Sequence, residues 1–355
     1  MSYIDPEGKK VTTASMLRAF NQCPASYYYG YVLRLKPRRI TKSESALKRG
    51  TWFHHLLEAH YTPGGTGWAA KHAELTLAYN GLMEEEQEAL GPLPDTMRRL
   101  MRSYLWHYGA SASNPWHGWT VHGVELTLEC EWPDGDGTYR GRVDILAEDE
   151  FGMFVGDHKT NVALPNNEFR LTDPASVLYI WCAQENGVEV SRFVWNYIRA
   201  KAPSIPSQLK NGLLSKAACD TDYPTTWLAL KEYGLNPEDY TERLRPLLND
   251  RYAPGKIQRS AFFRRDSLDK DPELMTRVIG AALKTRDMID SEDYDPGCLR
   301  RNFSRSCDWC SFRNLCTTEL AAGPDSAQAR TVRAMNYTEA DPLQYYNPSA
   351  NPLED

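Results

Sequence analysis

Four cysteines at opposite ends of the chain constrain its fold more than any other feature. Three stand in a C-x2-C-x5-C pattern near the C-terminus and one lies in "FNQCPASYYY" near the N-terminus: Cys307, Cys310, Cys316 and Cys23. No single helix or strand can join positions so far apart, so the tertiary fold must bring them together. Four thiolates suit either zinc or an iron–sulfur cluster, and Cys298 is an alternative ligand. The pattern predicts a metal site that holds the two chain ends together.

The composition is typical of a chain that buries a substantial core. Of 355 residues, 41% are hydrophobic and 25% are charged. No apolar stretch approaches the length of a bilayer span, and the N-terminal "MSYIDPEGKK" lacks the apolar run of a secretory signal. We therefore expect a cytoplasmic protein that does not engage a membrane.

The charge distribution leaves room for a local basic groove. A net charge of −6 argues against a protein that coats nucleic acid non-specifically. Basic residues are nevertheless concentrated in "LRLKPRR", "RSAFFRRD" and "CLRRNFSRSC". Any one of these segments is more simply interpreted as solvated surface. Because two of them flank the proposed metal-binding cysteines, we interpret them as parts of one groove.

The middle of the chain has the pattern of a strand-rich core. The sequence predicts a helix start followed by an aromatic stretch over 13–33, a helix over 46–61 whose apolar residues have helical spacing, and a polar helical stretch over 68–109. The period then changes to that of strands in "VHGVELTLECEW", "TYRGRVDILAED" and "MFVGDHKT", followed by a helix over 173–186 and a strand in "VSRFVWNYIRA". This order predicts an α/β core with a mixed sheet.

These patterns divide the chain into five segments. We expect an N-terminal helical region at 1–118, a core at 119–200, a second helical region at 201–290, the cysteine-triplet segment at 291–320 and an extended or disordered tail at 321–355. The tail is predicted from its few aliphatic residues, which cannot bury enough apolar surface to order it.

Two carboxylates and a lysine converge in the predicted core. Asp144 and Asp157 lie on adjacent strands joined by a short turn, and Lys159 shares a sheet face with Asp157 because it follows two residues later. Two carboxylates supply the oxygen ligands that Mg²⁺ or Mn²⁺ requires, and a lysine can orient or deprotonate an attacking water. A D-x-K pattern alone is weak, and a salt bridge at a strand edge is the simpler alternative. The D-x-K pattern follows the apolar strand segment "MFVG", and this position favours a catalytic site.

Two further side chains are candidates for the same site. His54 shares a helix face with Glu58 and Tyr61 and could add a nitrogen ligand, which favours Mn²⁺. Spacing alone does not distinguish His54 from His55, and either histidine could simply pack or face solvent. Glu125, in the first strand, is equally well explained as an exposed cross-strand charge.

Taken in order, these motifs resemble the PD-(D/E)XK nucleases of the RecB/AddB type, whose stand-alone relatives include CRISPR-associated RecB-like nucleases and phage exonucleases. The family order is a cysteine in "CP", then G-x3-H, G-x-x-D, (D/E)-x-K, a Q-x3-Y helix and C-x2-C-x5-C. Over residues 13–317 the chain has Cys23-Pro24, Gly50 with His54, Gly141 with Asp144, Asp157 with Lys159, Tyr179 and the cysteine triplet. It departs from the family at Ala175, where the glutamine usually stands.

The resemblance implies a restriction-endonuclease-like mixed-sheet core with helical insertions, and a 4Fe–4S cluster rather than zinc on the four cysteines. It implies that Asp144, Asp157 and Lys159 are catalytic. It also implies that His54, and not His55, joins the two aspartates in binding Mg²⁺ or Mn²⁺. Candidates for positioning the substrate are Glu125, Tyr179, Arg264, Arg300 and Arg301.

The favoured function is a metal-dependent DNA nuclease, an exonuclease acting on single strands or duplex ends. The chain has no G-x4-G-K-[ST] phosphate loop and hence no motor of its own, so a helicase or recombination protein is a candidate partner, in DNA repair, phage recombination or CRISPR adaptation. A second hypothesis is a non-catalytic iron–sulfur subunit that binds nucleic acid or assembles such a complex. A redox protein ranks last, because no flavin or dinucleotide fingerprint accompanies the cysteines.

Overall fold

The computed structural model describes residues 3–38, 42–62, 64, 67–108, 119–164, 173–252 and 261–344, without the side chains of 42–47 and 249–252. The α-helices are α1 (Ala14–Gln22), α2 (Pro24–Tyr27), α3 (Lys42–Tyr61), α4 (Gly67–Asn80), α5 (Glu84–Leu90), α6 (Leu93–Tyr108), α7 (Pro174–Glu185), α8 (Tyr223–Glu232), α9 (Thr241–Tyr252), α10 (Pro272–Ser291), α11 (Arg313–Ala322) and α12 (Ala327–Asn336). The strands are β1 (Tyr3–Ile4), β2 (Lys10–Thr12), β3 (Leu35–Pro37), β4 (Thr120–Glu131), β5 (Thr138–Asp149), β6 (Gly152–Asn161), β7 (Arg192–Arg199), β8 (Phe263–Asp269) and β9 (Tyr337–Glu339). A π-helical turn covers Tyr28–Val32, and 3₁₀ helices cover Pro237–Tyr240 and Arg305–Trp309.

Seven strands form one mixed sheet in the order β1-β2-β5-β6-β7-β8, with β4 paired to β5. β2 is parallel to β5 and β6 is parallel to β7, whereas the other neighbours are antiparallel. The mixed α/β core expected from the sequence is confirmed, and β4, β5, β6, α7 and β7 lie where the patterns predict them. β1, β2 and β8 are additional strands in segments expected to be helical. The first two are too short to show an alternating pattern, and β8 carries the charged sequence "FRRDSLD".

Helices pack against both faces of β7. Phe193, Trp195 and Tyr197 belong to a core that also includes residues of α1, α7 and α10. Ile198 points to the opposite face, where it packs into a second core built from α3, α4, α5 and α6. This arrangement explains why β7 is buried along almost its whole length. None of the described helices is long and apolar enough to cross a membrane.

Local sequence signals set the ends and the rotation of the helices near the site. Thr13 caps α1, because its Oγ1 accepts a hydrogen bond from the amide of Met16 at 3.2 Å. In α3, Phe53, Leu56 and Leu57 form an apolar face at helical spacing, and all three are completely buried. Packing of this face fixes the rotation of α3 and therefore the directions of its polar side chains.

The two ends of the chain are joined by backbone contacts. β3 pairs with β9, and the amide of Ala25 donates to the carbonyl oxygen of Arg300 at 3.1 Å. The prediction of an extended or disordered tail is wrong for residues 321–344, which include the end of α11, α12 and β9. This segment folds because Ser326 caps α12 and Tyr337, the first residue of β9, is buried. Residues 345–355 lie outside the described part of the chain.

Candidate active site

Asp144 and Asp157 stand where two strands of the sheet separate. β5 and β6 pair over residues 145–149 and 152–156. At its beginning β5 pairs with β2 instead, and β6 continues beside β7. Asp144 and Asp157 are the first residues beyond the last described pair of β5 and β6, so each diverging strand carries one carboxylate. We call this place the β5–β6 fork.

Lys159 faces the fork from β6. Its Nζ lies 2.6 Å from Oδ2 of Asp157, and its side chain is partly exposed. Burial lowers the pKa of Lys159, but the nearby carboxylate of Asp157 outweighs this effect and raises the pKa overall. The side chain is therefore an ammonium group at neutral pH, suited to contact an anionic ligand rather than to remove a proton.

Arg264 lies in the same row of the sheet as Lys159. Tyr197 of β7 is paired with Lys159 on one side and with Arg264 of β8 on the other, so the three share a face. The guanidinium of Arg264 lies 5.5 Å from the centre of the Tyr197 ring, and its Nε donates to Asp266 at 2.7 Å. This candidate for substrate contact therefore stands on the sheet face that carries Lys159, two strands from the fork.

The predicted metal-binding histidine reaches the fork from α3. The Nδ1 of His54 lies 3.5 Å from Oδ2 of Asp144, which also accepts a hydrogen bond from the amide of His158 at 2.5 Å. His55 points elsewhere, with its Nδ1 3.2 Å from Oε2 of Glu58. The structure thus places His54, and not His55, beside Asp144.

Glu125 enters the site from β4. It stands opposite Asp144 and has a φ of 50°, a left-handed conformation that is uncommon for a residue with a Cβ atom. Its side chain is only 6% exposed, and its Oε2 lies 2.7 Å from Nε of Arg142. Glu125 is therefore not an exposed cross-strand charge, and its unusual backbone conformation occurs at the fork.

Burial raises the pKa of both carboxylic acids that face His54. It raises the pKa of Asp144 to about 6, with His54 opposing the shift and Asp157 adding to it. It raises the pKa of Glu125 to about 9, and the charge of Asp144 contributes in the same direction. Such crowding of partly buried carboxylates is typical of a site whose negative charge is neutralised by a bound cation.

The residues at the fork fit a divalent cation. Ligand atoms of His54, Glu125 and Asp144 all lie within 4.8 Å of one another, and no other described group of three His, Cys, Asp or Glu residues meets this condition. Two carboxylates and an imidazole suit Mg²⁺ or Mn²⁺ and leave positions open for water or phosphate. The predicted ligand Asp157 is adjacent but outside this group, whereas Glu125, predicted only as a candidate for positioning substrate, is inside it.

A buried polar network that the sequence patterns do not predict lies behind the fork. His158, between Asp157 and Lys159, points to the other face of β6, and Asn196 lies 2.9 Å from its Nδ1. Nδ2 of Asn196 also donates to the hydroxyl of Tyr104 at 2.8 Å.

The same network continues to a cation enclosed by aromatic rings. Arg265 donates to the hydroxyls of Tyr61 at 2.8 Å and Tyr104 at 3.2 Å, and its guanidinium lies over the rings of Tyr108 and Trp119. The signal that could reveal the start of this network is the strand period, since the middle residue of a D-x-K motif must face away from the two catalytic side chains.

The four cysteines line one cavity of about 470 Å³, which we call the cysteine cavity. Cys23 ends α1, Cys307 lies in a 3₁₀ helix, Cys310 ends it and Cys316 lies in α11. The amide of Asn302 lies 3.5 Å from the sulfur of Cys23. No three of the four sulfurs lie within 4.8 Å of one another. A zinc ion with bonds of about 2.3 Å would hold its sulfurs about 3.8 Å apart, so the cavity is not a preformed zinc site.

The remaining predicted site residues are Tyr179, Arg300 and Arg301. Arg301 is 9% exposed and lies 3.8 Å from Glu319, so it has little surface to offer a substrate. Arg300 is 51% exposed and is paired with Glu292 at 2.6 Å. Tyr179 of α7 packs over Gly141, where an added Cβ atom would come within 2.8 Å of the tyrosine ring. The close approach of α7 to β5 explains why a glycine precedes Asp144 by three residues.

Comparison with known proteins identifies a family over most of the chain. The sequence matches the PD-(D/E)XK nuclease superfamily over residues 11–317, which includes the fork and all four cysteines of the cavity. No curated protein matches the chain. The chain is similar to the crystal structure of SSO0001, with 10% identity over 86% of this chain and 85% of that one, and the TM-score of 0.32 is too low to support a structural argument. By the extent of the first match, the chain belongs to the PD-(D/E)XK nuclease superfamily.

Proposed function

We propose that the protein is a metal-dependent DNA nuclease that cuts phosphodiester bonds at the β5–β6 fork. The observation that carries this proposal is the convergence of His54, Glu125 and Asp144 within 4.8 Å, beside the ion pair of Asp157 and Lys159. A divalent cation bound there would act as a Lewis acid towards the phosphate and lower the pKa of a bound water. Members of this superfamily are usually nucleases of this kind, which supports the same conclusion.

The protein's own residues have separable roles in this proposal. His54, Glu125 and Asp144 hold the cation, and Asp157 is proposed as a further oxygen ligand and as the group that holds Lys159 in place. The ammonium of Lys159 lies at the open side of the fork and offsets negative charge on the phosphate. The amide of His158 fixes one oxygen of Asp144, which leaves the other oxygen for the cation.

The substrate that we propose is DNA with a free end, either a single strand or a duplex end. A duplex would have to be opened by a partner, because the sequence contains no phosphate loop of a motor protein. The test is digestion of end-labelled single-stranded, duplex and circular DNA with Mg²⁺, Mn²⁺ or EDTA. Shortening of the linear substrates only with metal supports an exonuclease. No cleavage of any substrate with either metal would favour the non-catalytic binding subunit instead.

We also propose that the cysteine cavity holds a 4Fe–4S cluster. Four thiols line a single cavity that is larger than one ion needs, and a cluster in which each thiolate binds a different iron does not require three sulfurs within 4.8 Å of one another. The amide of Asn302 is available to donate to the sulfur of Cys23. Iron analysis and visible absorbance of protein purified without oxygen test this assignment. Zinc in place of iron would contradict it.

A further inference from the structure

A second cavity, of about 400 Å³, opens beyond the end of β6. We call it the basic cavity. It lies between α3, the corner of α5 and α6, and the segment that follows β7. The lining residues that matter here are Arg49, Thr96, Arg99, Val162, Lys201 and Ala202. Three of them are cations, and no carboxylate is among the described residues that line the cavity.

The three cations are available to a ligand to different extents. Nη2 of Arg49 donates to the carbonyl oxygen of Leu90 at 3.3 Å, which fixes the arginine without neutralising it. Nε of Arg99 is buried and has no hydrogen-bond partner within the described part of the chain. Lys201 is 4.0 Å from Asp220, a carboxylate that is already paired with Arg199 at 2.6 Å. The charge of the cavity is therefore positive and largely uncompensated.

Two elements lead from the fork to the basic cavity. Val162 follows Lys159 by three residues, which corresponds to about 10 Å of extended chain at the rise of β6. Arg49 precedes His54 by five residues of α3, which is about 7.5 Å along the helix axis. A strand of DNA with phosphates spaced about 3.4 Å apart along its axis would reach from the fork to the cavity within a few nucleotides.

We infer that the basic cavity binds a phosphate group of the DNA strand that is cut at the fork. This inference rests on the proposed function, because it takes the ligand of the fork to be DNA. Cations that contact phosphates contribute affinity through the release of counterions and carry no base-sequence information. The cavity thus fixes the path of the strand beside the scissile phosphate, independently of sequence.

The experiment measures DNA binding in EDTA, where cleavage does not interfere. The test protein carries Arg99→Gln and Lys201→Gln. The control for the arginine is Arg98→Gln, which removes one positive charge from the neighbouring position of α6, where the side chain is exposed and paired with Asp95 at 2.7 Å. The probe is a fluorescent single-stranded oligonucleotide of mixed sequence, titrated at several salt concentrations.

The double variant is expected to bind on the order of tenfold more weakly at 0.1 M salt, with a slope of log affinity against log salt that is shallower by about 1.4. The control is expected to match the wild type. Equal affinity and slope in the double variant and the control would overturn the inference. If Arg99→Gln lowers the melting temperature, two other variants decide: Arg99→Lys combined with Lys201→Gln, and Lys201→Gln alone. Each is expected to give a slope that is shallower by about 0.7, for one lost contact.

Two further arms locate the phosphate and separate the two proposals. An internal phosphate predicts the same loss with circular single-stranded DNA, whereas a terminal phosphate predicts a loss only with linear DNA that carries a phosphate at its end. If the wild type binds DNA but does not cut it with Mg²⁺ or Mn²⁺, the nuclease proposal fails while the binding data still decide on the basic cavity. Cleavage by the wild type together with unaltered binding by the double variant overturns only the basic cavity.

Discussion

The β5–β6 fork and the cysteine cavity are both places where the chain gathers metal-binding groups, but they are built in opposite ways. At the fork, Glu125, Asp144 and Asp157 come from three consecutive strands, and only His54 comes from elsewhere. At the cavity, Cys23 comes from one end of the chain and the other three sulfurs come from the far end. The ligand atoms of His54, Glu125 and Asp144 are already close, whereas the cysteine sulfurs are spread around a cavity.

This difference has a physical reason. Strand register and hydrogen bonding fix the positions of the carboxylates within a few ångströms whether or not a cation is present. The cysteines depend on the docking of the chain ends, which rests on contacts such as the pairing of β3 with β9. We therefore expect the fork to fold without its metal, and the cysteine cavity to gain much of its stability from the group that it binds.

The sharpest test of the fork is Asp144→Asn. We expect it to reduce cleavage more than about 100-fold, since even the loss of a group that only supports a metal ligand costs about 10- to 100-fold. The melting temperature should not fall, because the substitution removes a carboxyl group whose pKa is raised by burial. The measurement is single-turnover cleavage of end-labelled DNA together with thermal melting.

The control for this variant is Glu150→Gln, which alters an exposed carboxylate in the turn between the same two strands. It should retain wild-type cleavage. Wild-type activity in a folded Asp144→Asn protein would show that the fork is not the catalytic site. The fork could then no longer be compared with the cysteine cavity as a second functional metal site.

For the cysteine cavity, the corresponding test is Cys23→Ala. We expect loss of iron and of visible absorbance, and a loss of stability of up to about 5 kcal/mol, the chain-entropy value for a crosslink that closes so long a loop. Mn²⁺ binding at the fork should persist in the folded fraction. Iron content, thermal melting and Mn²⁺ titration measure these three effects.

Cys298→Ala is the matched control, since Cys298 is exposed, neighbours the triplet and does not line the cavity. It should keep its iron and its melting temperature. If Cys298→Ala lost the iron and Cys23→Ala kept it, Cys298 would be the fourth ligand, and the cavity would no longer join the two ends of the chain.

A smaller effect is expected from Asn196→Leu, which cuts the buried network behind the fork. His158 and Tyr104 both form a hydrogen bond with Asn196, and the substitution removes this shared partner. The expected loss of stability is about 1–3 kcal/mol. Cleavage should fall by less than in Asp144→Asn, because the amide of His158 would orient Asp144 less well. Chemical denaturation and cleavage rates check both effects. Lowered stability with unchanged cleavage would limit the network to a structural role.

The smallest effect is expected from Arg300→Gln, at the exposed side of the cysteine segment. If Arg300 contacts a phosphate, the salt dependence of binding should become shallower by about 0.7 for single-stranded DNA. Arg301→Gln serves as the comparison, because Arg301 is largely buried near the cysteine cavity and should alter stability rather than the salt slope. Affinity titrations at several salt concentrations distinguish them. An unchanged slope for Arg300→Gln would place the DNA path elsewhere.

Much of the core follows from the sequence because its signals are local. Alternating apolar residues predict β4, β5 and β6 almost to the residue, and the two-residue period puts Lys159 on the face of Asp157. The order of strands and helix also predicts a mixed sheet, which the structure confirms.

Tertiary structure alone decides what lies opposite these strands. The register of β4 on β5 brings Glu125 to Asp144, and the packing of α3 turns His54 rather than His55 towards the fork. Neither can be derived from spacing, because a shift of one residue in register or a rotation of one helix position would exchange these side chains for their neighbours. The docking of α12 and β9 likewise orders a segment whose composition indicates disorder, since its few apolar residues are buried by partners far away in sequence.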